Sequence, residues 1–154
     1  MPKVRDKVFE QVKTSLLAIK TASGYNTDVK TVSRTLQTLE QMNDIDLPAL
    51  FVVDAGAEAV ENDSNPQQIF HRLLIIIQGY FRDRSAQFSN NFNGLIADIC
   101  KVIYAPMTFE EGGQRYADNL ILRAIQVTGQ DTEPQQLTFN VQIEVTYQFS
   151  NTAP

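Results

Sequence analysis

The chain has 154 residues, 43% hydrophobic and 20% charged, with a formal net charge of −5. A chain of this length is expected to fold as one domain, residues 1–154, around one core; its apolar and charged fractions are those of a soluble globular protein, and its acid excess without a basic stripe argues against a tight grip on a nucleic-acid backbone. No apolar run approaches the ~20 residues of a membrane helix, the N-terminus lacks the apolar core and cleavage site of a secretory signal, so that synthesis is expected to end in the cytoplasm, and the lone Cys100 is expected to be a small buried hydrophobe.

Residues 4–21 carry Val4, Val8, Val12, Leu16 and Ile19 at three- and four-residue spacing, widened by Phe9 and Leu17. That period predicts an amphipathic helix docked on a sheet, stopped at Ser23 and Gly24. Residues 25–36, with their threonines, Val29 and Val32, read as a weakly alternating strand at a sheet edge. Residues 37–47 are ambiguous: Leu39 and Met42 suit a short helical turn, whereas Asn43, Asp44 and Asp46 are turn formers. Pro48 disfavours helix at Leu47, so residues 49–53 predict a short buried strand, followed by an acidic loop over 57–66. Residues 68–82 predict a second long strand. Leu74 and Ile76 share one of its faces and Leu73, Ile75 and Ile77 the other, which places it centrally and covered on both sides, at least in an assembled state.

Ser85 is placed to cap the next helix, whose stripe is Phe88, Phe92, Leu95, Ile96, Ile99 and Ile103, with Asn91, Asp98 and Lys101 outward. Pro106 ends it. A second long loop spans 105–119, a strand with apolar residues on both faces spans 120–128, and a hydrophilic turn spans 129–136. The last strand, 137–149, alternates Leu, Phe, Val, Ile, Val, Tyr and Phe with polar residues and never breaks the period of two. At 3.3 Å per residue it would extend ~43 Å, against an expected radius of gyration of roughly 15 Å. Such a strand either bends at a bulge or reaches beyond its subunit. The order helix, strand, weak helix, two strands, helix, two strands predicts an α+β fold, with a mainly antiparallel sheet, two principal helices and a C-terminal β-hairpin.

Catalytic constellations are thin. His71, the one histidine, lies between Phe70 and Arg72 and reads as a structural or surface residue rather than a general base. Cysteine and histidine have no metal-ligand spacing. Glu110 and Glu111 read as a solvated pair, Gly112–Gly113 is too short for a phosphate loop, and Asp83, Ser85 and Asp98 read as turn, cap and exposed helix positions. No catalytic residue, cofactor or metal is expected. Surface signals favour assembly. Met107, Phe109, Arg115 and Tyr116 are of types enriched at interfaces and share their loop with Glu110 and Glu111; the alternative is that this loop folds back and uses its aromatics as core. Arg82 and Arg84 are candidates to pair across an interface with the acidic stretch of Asp54, Glu58 and Glu61.

The run LPALFVVDAGAE from Leu47, an acidic loop, HRLLIIIQGYFRDR, a helix containing LIADICKVIY, and a closing IEVTYQF follow one another in an order that resembles the tail terminator, or tail completion, proteins of long-tailed bacteriophages, the minor tail protein U-like family. The likeness covers roughly residues 4–149 and includes no catalytic motif. It implies a hexamer ring that caps the tail tube, fixes its length and meets the neck or head-completion proteins. It also implies a virion tail component assembled in the host cytoplasm, without a membrane, whose channel DNA passes without specific binding. The polar face of the last strand, Asn140, Gln142 and Glu144, carries no basic charge and would suit such a channel. Two alternatives stay open: another head–tail joining or tail-tube protein, and a small-ligand-binding α+β domain using His71 and a carboxylate.

Overall fold

The computed structural model describes residues 3–61, 69–105, 109–118, 120–132 and 135–149. In chain order its elements are α1 (Val4–Leu17), β1 (Thr31–Ser33), β2 (Ala49–Glu61), β3 (Ile69–Arg82), α2 (Phe88–Tyr104), β4 (Glu110–Glu111), β5 (Gln114–Arg115), β6 (Ile121–Thr132) and β7 (Gln135–Phe149). Five strands form one sheet in the order β1-β2-β3-β7-β6, and β4 pairs with β5 apart from it. β1 runs parallel to β2, the other pairings are antiparallel, and β6 with β7 makes the expected C-terminal hairpin. The fold is α+β.

Register explains why one face of the sheet is a core. Val52, Ile77, Val141 and Ile125 stand level across four strands, and with Leu73, Ile75, Ile143 and Val145 they meet both helices. α1 contributes Val8, Phe9, Val12 and Leu16, each at most 1% exposed. Burying a side chain of this size stabilises by about 1.5–3 kcal/mol, which is why the 3.6-residue period of α1 decides its orientation. α2 adds Leu95, Ile99, Val102 and Ile103, and Phe92 brings its ring within 5.4 Å of Phe139 and 5.6 Å of Phe81, centroid to centroid.

The structure corrects several expected boundaries. α1 stops at Leu17 because the backbone extends at Lys20; one 3₁₀ turn, Thr21–Ser23, follows, closed by Gly24 at φ 90°. Of residues 25–36 only Thr31–Ser33 join the sheet, at its edge as expected. Residues 26 and 27 are held elsewhere. Asp98, expected outward, is 2% exposed, and its carboxylate accepts the backbone N–H groups of Asn26 at 2.9 Å and Thr27 at 2.8 Å. A buried carboxylate needs such donors, and this one clasps the preceding loop onto α2.

Residues 37–47 form two 3₁₀ turns, Leu39–Gln41 and Asp44–Asp46. Met42 and Leu47 pack with Ala49, Phe51 and Tyr80 on the face of the sheet opposite the helices, and the Tyr80 hydroxyl donates to the Gln37 carbonyl at 2.6 Å. Where an acidic loop was expected from residue 57, β2 continues to Glu61 past a bulge between Asp54 and Ala57, with Gly56 at φ 112°. The ladder from Ala57↔Leu73 to Glu61↔Ile69 supplies what the local β propensity lacks. Ser85 does not cap α2; its hydroxyl accepts the Gln87 N–H at 3.2 Å in the turn before the helix. Cys100 is half-buried rather than buried, and burial pushes its thiol pKa up. No helix among the described residues is long and apolar enough to cross a membrane.

β3 is central as expected, but its two faces differ. Leu73, Ile75 and Ile77 are fully buried, whereas Leu74 and Ile76 are only half-buried. The segment 37–47 covers one end of this second face and leaves the middle of it open.

Candidate subunit interface

All but one of the residues expected at an interface have a described place in the subunit. Met107 lies outside the described residues, and Glu61 is described as the last residue of β2. Phe109 is not a surface anchor: it is 1% exposed and belongs to the main core, with its ring 5.9 Å from that of Tyr116 in an edge-to-face contact. The loop therefore folds back. Gly112 and Gly113, at φ 60° and 79°, make the β4–β5 turn, where two consecutive left-handed residues suit glycine. Tyr116 is half-buried, Glu110, Glu111 and Arg115 are exposed on the rim of this small hairpin, Glu111 pairs with Lys7 of α1, and the Arg115 Nε donates to the Ala117 carbonyl.

Within the subunit Arg82 and Arg84 meet other partners than the acidic stretch. Arg82 donates to Asp44 at 2.7 Å and to Gln136 at 3.0 Å, and Arg84 stands 3.8 Å from Asp44. Tyr80 pairs with Ala49 and Ile69 with Glu61, so Arg82 closes one end of the sheet while the acids run toward the other. There Asp54 pairs with Arg5 of α1, and Glu58 lies 3.9 Å from Arg72.

The open face carries a charged cluster that the sequence alone did not reveal. Leu74 and Ile121 both stand level with Glu144, so Arg72 and Arg123, two residues away along their strands, reach it diagonally. Arg72 Nε lies 2.8 Å from one carboxylate oxygen and Arg123 Nε 2.7 Å from the other. Glu144 is 8% exposed while both arginines stay near half-exposed. The polar face of β7 therefore has basic charge on both sides. A groove of about 370 Å³ opens beside this cluster, lined by Glu58, Arg72, Leu74 and Glu144 together with the bulge at residues 55–57. Seeing this site in advance would have required the β3–β7–β6 register, since no local motif marks it.

The hydrogen bond from Arg123, with the charges of Arg123 and Arg72, outweighs burial and holds the Glu144 carboxyl below the ordinary glutamate range. A depressed folded pKa stabilises above the unfolded value and loses that contribution as pH falls through the folded one. Glu144→Gln should therefore be less stable than the parent by about 1–2 kcal/mol at pH 7, and the gap between the two melting curves should narrow progressively once pH falls below the ordinary glutamate range of about 4. Calorimetric scans between pH 7 and 3 check this; a constant gap would show that the carboxylate charge is irrelevant.

The half-buried His71 ring stacks on that of Tyr147 at 5.3 Å and 20°. Among the described residues no three Asp, Glu, His or Cys side chains converge to hold a metal ion. What the geometry offers is surface: an open sheet face with Leu74 and Ile76 half-buried, two long strands, β2 and β6, whose outer edges lack a strand partner over most of their length among the described residues, and the exposed apolar residues Ile45, Ile121 and Val127.

No protein-family model matches the chain, and no curated protein matches it. Among solved structures it is similar to a chain in the virion of a native gene transfer agent particle, with a TM-score of 0.57, 8% sequence identity, and coverage of 97% of this chain and 100% of that chain. At that identity the likeness is one of fold.

Proposed function

We propose that this chain is a non-enzymatic, single-domain structural virion protein that forms a ring at the end of a phage tail tube, terminates the tube and joins it to the neck. The observation that carries this reading is the end-to-end likeness of fold to a chain of a virion particle, joined to the ordered sequence resemblance to tail terminators. The partners it implies are five further copies of the chain, the tube protein, and neck or head-completion proteins, with DNA passing the channel and no membrane involved. The setting is the virion tail, built in the host cytoplasm.

The outer strand edges, which among the described residues lack a strand partner over most of their length, are compatible with a subunit made to be covered by others, since long unpaired edges are templates for another strand. A likeness of fold to one chain of a virion does not fix a position in a tail, so another joining protein or a tube subunit is the second reading. Position separates them: a terminator occurs once per tail, at the head-proximal end, and a tube subunit repeats along it. Mass photometry tests the ring directly. Six copies of a 17.3 kDa chain give about 104 kDa, alone or on addition of tube protein, and a species that stays at 17.3 kDa under both conditions would overturn the proposal.

A further inference from the structure

We infer that the sheet continues from one copy of the chain into the next, the outer edge of β6 pairing antiparallel with the part of β2 that β1 leaves bare. This rests on the ring reading and specifies how its subunits join.

β6 is last in the sheet order, so among the described residues its outer backbone edge has no strand partner along Ile121–Thr132. The opposite side of the sheet is incomplete too. β1 pairs only with Ala49, Leu50 and Phe51, and β2 runs ten residues beyond them to Glu61. Long unpaired edges are templates for another strand. Here two different edges are exposed on opposite sides of one molecule, and joining unlike surfaces head to tail generates a ring when the rotation closes.

Direction, face and charge agree. Three successive antiparallel pairings make β6 run opposite to β2, so β6 of one copy beside β2 of the next extends the antiparallel pattern without reversal. The bulges leave unbroken ladders of similar length, residues 124–127 on β6 and 57–61 on β2. Register puts Glu58, level with Arg72, and Arg123, reaching Glu144, on the same open face. These two side chains are 74% and 50% exposed, and they are of opposite sign. The two ladders are also offset along the strands: Ile121 stands level with Leu74, and Ala57 with Leu73, so both segments start at nearly the same level and run from it in opposite directions. Each junction therefore steps along the strand axis, the stagger that tilts strands in a closed sheet.

The test is hydrogen exchange with mass spectrometry on the assembled ring and on the dissociated chain. Amides of β6 and of residues 57–61 should both exchange at least about tenfold more slowly in the ring. A ring in which neither edge is slowed overturns the inference and leaves the ring reading standing; slowing on β6 alone means like-with-like pairing and also overturns it; a chain that forms no ring, alone or with tube protein, removes both. Val127→Lys, at a position 53% exposed on β6, provides a second arm. It should reduce the assembled fraction about tenfold while the melting temperature of the monomer stays within about 2 °C, and undiminished assembly of this variant counts against the pairing.

Discussion

Replacing Gly79 with alanine should lower the melting temperature by about 6–12 °C, the equivalent of about 3 kcal/mol for a chain of this size. Gly79 lies in β3 opposite Phe139 of β7, and a Cβ at this position would sit 2.1 Å from Cζ of the Phe139 ring. The ring cannot simply turn aside. It is fully buried and packs edge-on against Phe92, which in turn contacts Phe81, so relief requires movement of α2 against the sheet. Phe139→Leu in the same chain should recover part of the loss, because it removes the atoms that clash. A Gly79→Ala variant as stable as the parent in a thermal melt would mean that this aromatic layer is loosely packed.

Phe109→Ala should destabilise the subunit by about 3–5 kcal/mol, the usual cost of emptying a buried phenylalanine site, whereas Tyr116→Ala should cost about 1–2 kcal/mol, since Tyr116 is half-buried and loses mainly one edge-to-face contact. The pair of measurements decides between two roles. An interface anchor would weaken assembly and leave the monomer's melting temperature unmoved; a core residue does the reverse. Phe109 sits among the main core residues, its carbonyl accepts the Tyr116 N–H at 2.8 Å, and the loop between them is closed by a two-glycine turn. Chemical denaturation of the two single variants should show the larger loss at Phe109, with urea m-values unchanged.

Much of the architecture could be read from strong periodicity. In β7 the residues Leu137, Phe139, Val141, Ile143, Val145 and Tyr147 are all buried as the alternation demands, and β3, apolar on both faces, is central. Where local signals were weak, tertiary contacts decided. Residues 57–59, Ala-Glu-Ala, have little β propensity and are strand because β3 offers them a ladder. Asp98 reads as a polar outward residue until the loop at 24–28 is laid over it, yet it follows Leu95 by three residues, a spacing that keeps it on the buried side of α2. The Arg72–Glu144–Arg123 cluster was not legible because its members come from three strands and meet only through diagonal register. Likewise Arg82 could not be matched with Asp44 before the direction of β3 relative to the 37–47 segment was known. Strand edges, which carry the proposed assembly, are a property of sheet order, and sheet order is not written in any one segment.

The most direct measurement is electron microscopy of tube protein polymerised in the presence of the purified chain. The ring reading predicts one sixfold ring at a single end of each tube and shorter tubes as the ratio of chain to tube protein rises. Density for the chain repeating along the tube, or tubes whose ends and lengths are indifferent to it, would contradict that reading.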